Sequence, residues 1–100
     1  MPAYVLVEIT VTDPTTYERY KRLAEASVAA HGGRYLVRGG RVEPLEGKRS
    51  LQRLVILEFP SMEQARTWWA SPEYAAAKPV RAASATTEMI LLDGYAPAAT

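Results

Sequence analysis

The stretch Arg53-Leu-Val-Ile-Leu-Glu-Phe-Pro-Ser-Met-Glu-Gln-Ala-Arg-Thr-Trp-Trp-Ala-Ser-Pro-Glu-Tyr-Ala-Ala-Ala-Lys78 reads as a strand feeding a helix. Leu54 to Phe59 is apolar and rich in branched residues. The run stops at Pro60, which has no N–H to give a sheet ladder. Ser61 and Gln64 then match a capping box, in which two side chains satisfy backbone N–H groups left open at a helix start. Ser71-Pro72 repeats the signal of a cap followed by proline, so a break near Ala70 and a fresh short helix carrying Tyr74 are expected. Pro79 is expected to end or kink that helix, because its ring meets the preceding turn. The polar residue within the strand is Glu58, and a carboxylate on a sheet needs water, a partner or a role.

Working outward, Tyr4 to Val11 alternates, with Val5, Val7, Ile9 and Val11 on one face and Tyr4, Leu6, Glu8 and Thr10 on the other. Asp13-Pro14 supplies an N-cap and a first-turn proline for a helix whose stripe is Tyr17, Tyr20, Leu23, Ala24, Ser27 and Val28. Gly32-Gly33 ends it. Arg34 to Arg38 is a second strand, with Tyr35 and Val37 on one face and Arg34, Leu36 and Arg38 on the other. Gly39-Gly40 breaks or bulges it. Arg41 to Gln52 reads as a long irregular connection, with Lys48, Arg49 and Arg53 as solvated charges. Glu88 to Tyr95 closes as a fourth strand. Residues 1–95 are then one domain and 96–100 a flexible tail.

The order strand, helix, strand, strand, helix, strand makes the fold class α+β and ferredoxin-like: βαββαβ, a four-stranded antiparallel sheet with helices on one face. Right-handed crossovers place the first and third strands side by side in the centre. Helices cover one face of such a sheet, yet Tyr4, Leu6, Leu36, Leu54 and Ile56 fall on the other. About six such residues at roughly 1.5 kcal/mol each on burial rival the stability of a whole domain, so a homodimer pairing two sheets face to face is expected.

The 100 residues suit one core, and 48% of them are hydrophobic. A formal net charge of +1 names no anionic partner, so neither nucleic acid nor membrane is expected. The absence of cysteine excludes disulfides, thiolate chemistry and Cys-based metal centres. The short apolar run at the start, interrupted by Glu8, reads as neither a signal peptide nor a membrane span, and a cytoplasmic protein is expected.

For chemistry, alternation sets Glu8 and Glu58 at matching positions on neighbouring central strands, with Arg38 on the adjoining edge strand. Two carboxylates and a guanidinium would then converge in an apolar layer. As a catalytic site, paired carboxylates supply an acid or base while Arg38 orients an anion. As structure, Glu58 and Arg38 neutralise each other at the rim of an interface. Trp68 and Trp69 lie about 100° apart on a helix, so one enters the core while the other lines a cleft. Tyr17, Tyr20 and Tyr74 are ligand-contact candidates through their hydroxyls, against plain packing at helical spacing. His31, the lone histidine, sits in the last turn of the first helix. No H-x-x-H or H-E-x-x-H spacing accompanies it, and no metal is expected. Gly39-Gly40 lacks the Lys-Ser/Thr of a phosphate loop.

The chain also resembles a known family. Thr12-Asp13-Pro14 with Tyr17 and Tyr20, the run Gly32-Gly33-Arg34-Tyr35-Leu36-Val37-Arg38-Gly39-Gly40, Leu45-Glu46-Gly47, Leu57-Glu58-Phe59-Pro60-Ser61 and Trp69-Ala70-Ser71-Pro72-Glu73-Tyr74 resemble domain of unknown function 1330, from about Ala3 to Gly94. The resemblance implies a dimeric α/β barrel. The wider relatives of that barrel include cofactor-free monooxygenases, small isomerases, haem-handling enzymes and ligand-sensing domains, so the fold selects none of them. The family's motifs fall on Asp13, Tyr17, Gly33, Arg38, Glu58, Ser71 and Tyr74. The chain departs from the pattern at Pro79, where the family more often continues its helix. The combined expectation places Glu58 and Arg38 as catalytic residues, with Asp13, Tyr17, Trp69, Ser71, Tyr74 and Glu8 as ligand contacts, and no cofactor. The protein is either a cofactor-independent enzyme or binder of a small anionic or carbonyl-containing molecule, or a non-catalytic dimeric interaction module whose polar cluster is structural.

Overall fold

The computed structural model describes residues 1–96, so the expected tail lies outside the described residues apart from Ala96. The elements are β1 (Ala3–Val11), α1 (Pro14–Ala30), β2 (Arg34–Arg38), β3 (Arg53–Phe59), α2 (Met62–Trp69), α3 (Pro72–Ser84) and β4 (Ala85–Asp93). The four strands form one antiparallel sheet in the order β2-β3-β1-β4, with β1 and β3 central. This is the expected ferredoxin-like α+β arrangement, its second helical region divided in two.

Each helix begins on a side-chain cap. Asp13 accepts from the Thr16 N–H at 3.3 Å and from the Thr16 hydroxyl at 2.7 Å. The N–H groups of Thr12 and Asp13 both donate to the Ser84 carbonyl, at 2.8 and 3.0 Å, which ties the start of α1 to the α3–β4 junction. Helix α1 ends at Ala30 with His31 as its cap, and the chain turns away at Gly32, whose φ of 75° lies in the left-handed region that glycine enters without steric cost. Ser61 accepts from the Gln64 N–H at 3.1 Å, but Gln64 Nε2 donates to the His31 carbonyl at 3.1 Å. The expected capping box is therefore half used for α2, and its other half pins the end of α1. Ser71 is buried between two turns, donating to the Trp68 carbonyl at 2.7 Å and accepting from the Tyr74 N–H at 3.2 Å.

Two boundaries differ from expectation. Helix α3 continues through Pro79 to Ser84. Pro79 is exposed, while Tyr74, Ala77, Val80 and Ser84 are buried along the inner face, and that packing outweighs one lost backbone hydrogen bond. Strand β4 accordingly starts at Ala85, directly after the helix, and stops at Asp93. Its β-branched Thr86 and Thr87 pair with Thr10 and Ile9.

The core lies between the sheet and the helices. Val5, Val7, Ile9, Val55, Leu57 and Phe59 face it from β1 and β3, and Tyr17, Tyr20, Ala24, Val28, Trp68 and Tyr74 from the helices. Trp68 is the tryptophan that enters it, stacked near Phe59 (ring centroids 5.2 Å apart) and Tyr74 (4.3 Å). The opposite sheet face carries Tyr4, Leu6, Leu54 and Ile56, with Leu36, Ile90 and Leu92 at 44%, 53% and 42% exposure.

Strand β2 departs from simple alternation. Its register against β3 shifts between Tyr35 and Val37, so Val37 pairs with Ile56 and Arg38 with Val55. One extra residue in a strand reverses the facing of everything after it. Tyr35 and Arg38 therefore share the helix side, while Arg34 and Val37 lie on the open side. This corrects the expectation that Arg34 and Arg38 share a face.

Candidate functional site

A small cleft opens between α1 and the β2–β3 side of the sheet. Val7, Ile9, Val55, Leu57, Trp68 and Met89 line its interior, and Tyr17, Tyr20, Lys21, Tyr35, Arg38 and Arg53 supply its polar groups. Its cavity of about 30 Å³ has room for one or two waters or the head of a ligand. Among the described residues no acidic side chain lines it.

The three cations are placed by different means. Arg53 opens β3 with its side chain on the Val55 and Leu57 face, its guanidinium 5.5 Å from the Tyr17 ring centroid. It is packed onto Gly39, where any Cβ would collide with the guanidinium, and Gly39 has a φ of 73°. Among the described residues, Arg53 Nε is buried with no hydrogen-bond partner. Arg38 sits 4.4 Å over the Tyr35 ring and reaches Glu25 of α1 at 3.3 Å. Lys21 pairs with Glu18 at 2.9 Å. Burial pushes the Tyr35 phenol up to about 12, with Arg38 pulling the other way. Tyr20 is raised well above the ordinary phenol range, first by burial and then by the neighbouring Tyr74.

The residues singled out in the sequence divide between three places. Arg38 and Tyr17 line the cleft. Tyr74 lies fully buried behind it, its hydroxyl 2.8 Å from that of Tyr20 and accepting from Arg81 Nη1 at 2.8 Å. Trp69 is 42% exposed beneath Lys78, whose ammonium is 3.9 Å from its ring centroid. It borders a separate apolar hollow of about 200 Å³ with Ala65, Trp68, Ile90 and Leu91. Asp13 and Ser71 are occupied as helix caps. Gly33 is packed against Phe59 and Val28.

Glu8, Glu58 and Arg38 are not brought together. Strands β1 and β3 are antiparallel, with Glu58 opposite Tyr4 and Glu8 opposite Leu54. The two carboxylates thus sit four pairs apart, about 13 Å at the rise of a strand. Glu58 accepts from Arg34 Nε at 2.7 Å, and Glu8 pairs with Arg49 of the long connection. Arg38 is on the other face of the sheet. His31 caps α1 and meets Glu73 at 3.2 Å. Among the described residues, no group of three His, Asp or Glu side chains is arranged to hold a metal ion. No helix among them is long and apolar enough to cross a membrane.

Arg53, Lys21 and Tyr35 were not among the expected site residues, whereas Tyr20 was one of the candidate aromatics. The signal for Arg53 was its phase: it lies two residues before Val55 and four before Leu57, on the buried row of its strand.

Solved structures with this fold cover nearly the whole chain. The RPA0582 protein of unknown function from Rhodopseudomonas palustris superposes with a TM-score of 0.78 at 20% identity, over 96% of this chain and 84% of that one. SnoaB, a cofactor-independent oxygenase from Streptomyces nogalater, gives 0.65 at 16% identity over 96% and 95%. A dimeric protein of unknown function and ferredoxin-like fold from Bacteroides fragilis gives 0.58 at 14% identity over 93% and 96%. At these identities the likeness is one of fold. Among curated proteins nothing matches this chain. Residues 2–95, nearly the full length, match one family model, and the chain belongs to that family: Domain of unknown function (DUF1330).

Proposed function

We propose that this chain is a homodimer that recognises a small anionic or carbonyl-bearing molecule in the cleft between α1 and the sheet. The observation that carries the reading is Arg53, whose Nε is buried and, among the described residues, unpartnered beside a cleft with no acid in its lining. Leaving such a donor unpaired costs about 1–3 kcal/mol, more for a charged group. A carboxylate or a polarised carbonyl at the cleft would recover that energy, with Arg38 adding charge and Tyr17 and Tyr35 flanking it. The cleft admits the polar head, and the remainder of the ligand lies outside it.

The dimer rests on the open sheet face. Leu36, Ile90 and Leu92 are each about half exposed beside Tyr4, Leu6, Leu54 and Ile56, and a contiguous patch of this kind marks an interface. The Arg34–Glu58 and Arg49–Glu8 pairs border it as neutralised charges. The Bacteroides fragilis protein of the same fold is described as dimeric, in keeping with this reading. In this assignment Glu8 and Glu58 serve the interface, and Arg38 and Tyr17 serve the ligand. SnoaB's description as a cofactor-independent oxygenase makes turnover without a cofactor the activity to assay once a ligand is found.

The test is a thermal-shift and calorimetric screen of small carboxylates against wild type and Arg53→Gln. The expected result is a stabilising ligand for wild type whose effect is largely lost in the variant. No response in wild type, or an equal response in both, overturns the ligand reading. Light scattering at micromolar concentration addresses the dimer separately, and a monomeric wild type overturns that part.

A further inference from the structure

The apolar hollow beside Trp69 shares Trp68 and Met89 with the cleft and is otherwise lined by different residues. It exists for a local reason. Helix α2 is eight residues long, and its buried positions are Ala65 and Trp68, while α3 packs along α1. The short side chain of Ala65 leaves a gap of about 200 Å³ over Val5 of β1 and Leu91 of β4. Trp69 forms one wall of that gap. Lys78 Nζ sits 3.9 Å from its ring centroid and the Tyr74 ring 5.5 Å away, so contacts from α3 fix the indole in place. Part of the ring is still open to solvent. Arg66 is the charged residue of the lining. It is exposed, and among the described residues neither it nor Lys78 enters an ion pair. An apolar space with a rigid aromatic wall and a single cation at its rim sorts ligands by one apolar group and one negative end.

We infer that the hollow between α2 and β4 is a second binding site, for a carboxylate carrying one aromatic ring. The ring fills the hollow against Trp69 and Leu91, and the carboxylate meets Arg66 at the rim. The volume sets the size of the ligand. An apolar cavity of about 150 Å³ holds a benzene molecule, so the hollow takes a six-membered ring with a short link to its charge. The charge sets the sign: an amine in the same place would face Arg66 with no acid in the lining to receive it. This site is separate from the cleft and does not depend on Arg53.

The probe is phenylacetate, titrated into the protein by calorimetry and by nitrogen-15 NMR. Shifts of the Trp69 indole N–H and the Leu91 amide report the hollow, and those of the Gly39 and Arg53 amides report the cleft. Saturating shifts at Trp69 and Leu91 are the expected result. Arg66→Gln is expected to weaken that binding about threefold, the worth of one exposed ion pair. Arg66→Glu should invert the preference, taking 2-phenylethylamine in place of phenylacetate. Trp69→Ala, which removes the wall, should weaken both probes about tenfold. Shifts confined to Gly39 and Arg53 overturn the hollow and leave the cleft standing, whereas shifts confined to Trp69 and Leu91 support the hollow and not the cleft. No shift at Trp69 in wild type, or equal phenylacetate affinity in wild type and Arg66→Glu, overturns the inference. If phenylacetate reaches Trp69 only in a protein made monomeric by Ile56→Asp, a second copy is the occupant and the inference fails. Arg66 is on the surface, so its variants keep the fold. Should Trp69→Ala not fold, Arg66→Glu decides.

Discussion

Replacing Ser27 by alanine isolates one buried hydrogen bond at the centre of the core. Ser27 is 1% exposed and Trp68 2% exposed. The Trp68 indole N–H donates to the Ser27 hydroxyl at 3.0 Å, and that hydroxyl donates onward to the Ala24 carbonyl at 2.7 Å. Alanine removes only one oxygen, so little packing is lost, but the indole N–H is left with no acceptor in a site that water does not reach. An orphaned buried donor costs about 1–3 kcal/mol. In a domain of this size each kcal/mol moves the melting temperature by roughly 4–8 °C, so a central loss of about 2 kcal/mol predicts a fall of roughly 8–16 °C at fixed protein concentration. The cycle completes with Trp68→Phe and the double variant. In the phenylalanine background no N–H remains to be orphaned, and Ser27→Ala should cost under about 0.5 kcal/mol, the difference being the coupling between the two side chains. A Ser27→Ala protein melting within 2 °C of wild type, or an equal cost in both backgrounds, refutes the reasoning.

A methyl at Gly33 would lie 2.6 and 2.8 Å from the Phe59 ring and 2.9 Å from Val28, all within the core, so Gly33→Ala should lose about 1–3 kcal/mol by overpacking, read from urea unfolding. The Thr16 side chain, then its N–H, holds the Asp13 carboxylate below its usual range, and a backbone bond followed by His31 does the same for Glu73. Both carboxylates bind protons less tightly when folded, so their contribution is present above about pH 5 and lost as pH falls through the usual Asp and Glu range. Asp13→Asn should flatten that acid limb of the melting curve. Tyr35 runs in the opposite sense: held protonated up to about 12 when folded, it favours the native state below the ordinary phenol range and loses that contribution as pH rises from 10 to 12. A 295 nm titration of Tyr35→Phe against wild type should show one late-ionising phenol removed. Ile56→Asp, aimed at the centre of the open face, should yield a monomer by light scattering with its helical circular dichroism retained.

Much of this arrangement was legible because several local signals agreed. Alternation in β1 separates Val5, Val7 and Ile9 from Tyr4 and Leu6, and Asp13-Pro14, Ser61 and Ser71-Pro72 mark helix starts whose caps the structure contains. The site was less legible, for two physical reasons. Equal offsets from an apolar residue align across strands only when the strands run in the same direction. Strands β1 and β3 run oppositely, so Glu8 and Glu58 fall at opposite ends. A bulge, meanwhile, carries no residue of its own in a periodic pattern. Arg34-Tyr-Leu-Val-Arg38 alternates perfectly on paper, yet the register shift sends its two arginines to different faces. Pro79 misled in the same manner, since a local breaker was outweighed by the buried side of α3.

The bulge also explains how one sheet can serve two purposes. Strand β3 presents Val55 and Leu57 to the helices with Arg53 at the cleft, and Leu54, Ile56 and Glu58 to the open face. Beside it, an unbulged β2 would put both arginines on the open face, leaving Glu58 with two cations and the cleft with one fewer. With the bulge, Arg34 neutralises Glu58 on the side proposed to be buried between protomers, and Arg38 faces α1 through Glu25. Charge is thereby balanced where a second sheet would exclude water, while at the cleft Arg38 and Lys21 are paired with Glu25 and Glu18 and Arg53 Nε is left, among the described residues, without a partner. Because the same short strand backs both surfaces, covering the open face restrains the backbone that carries Arg53. Pairing of the protomers should therefore sharpen the cleft rather than merely shield the sheet, and a monomeric Ile56→Asp protein should bind carboxylates more weakly although no cleft residue has changed.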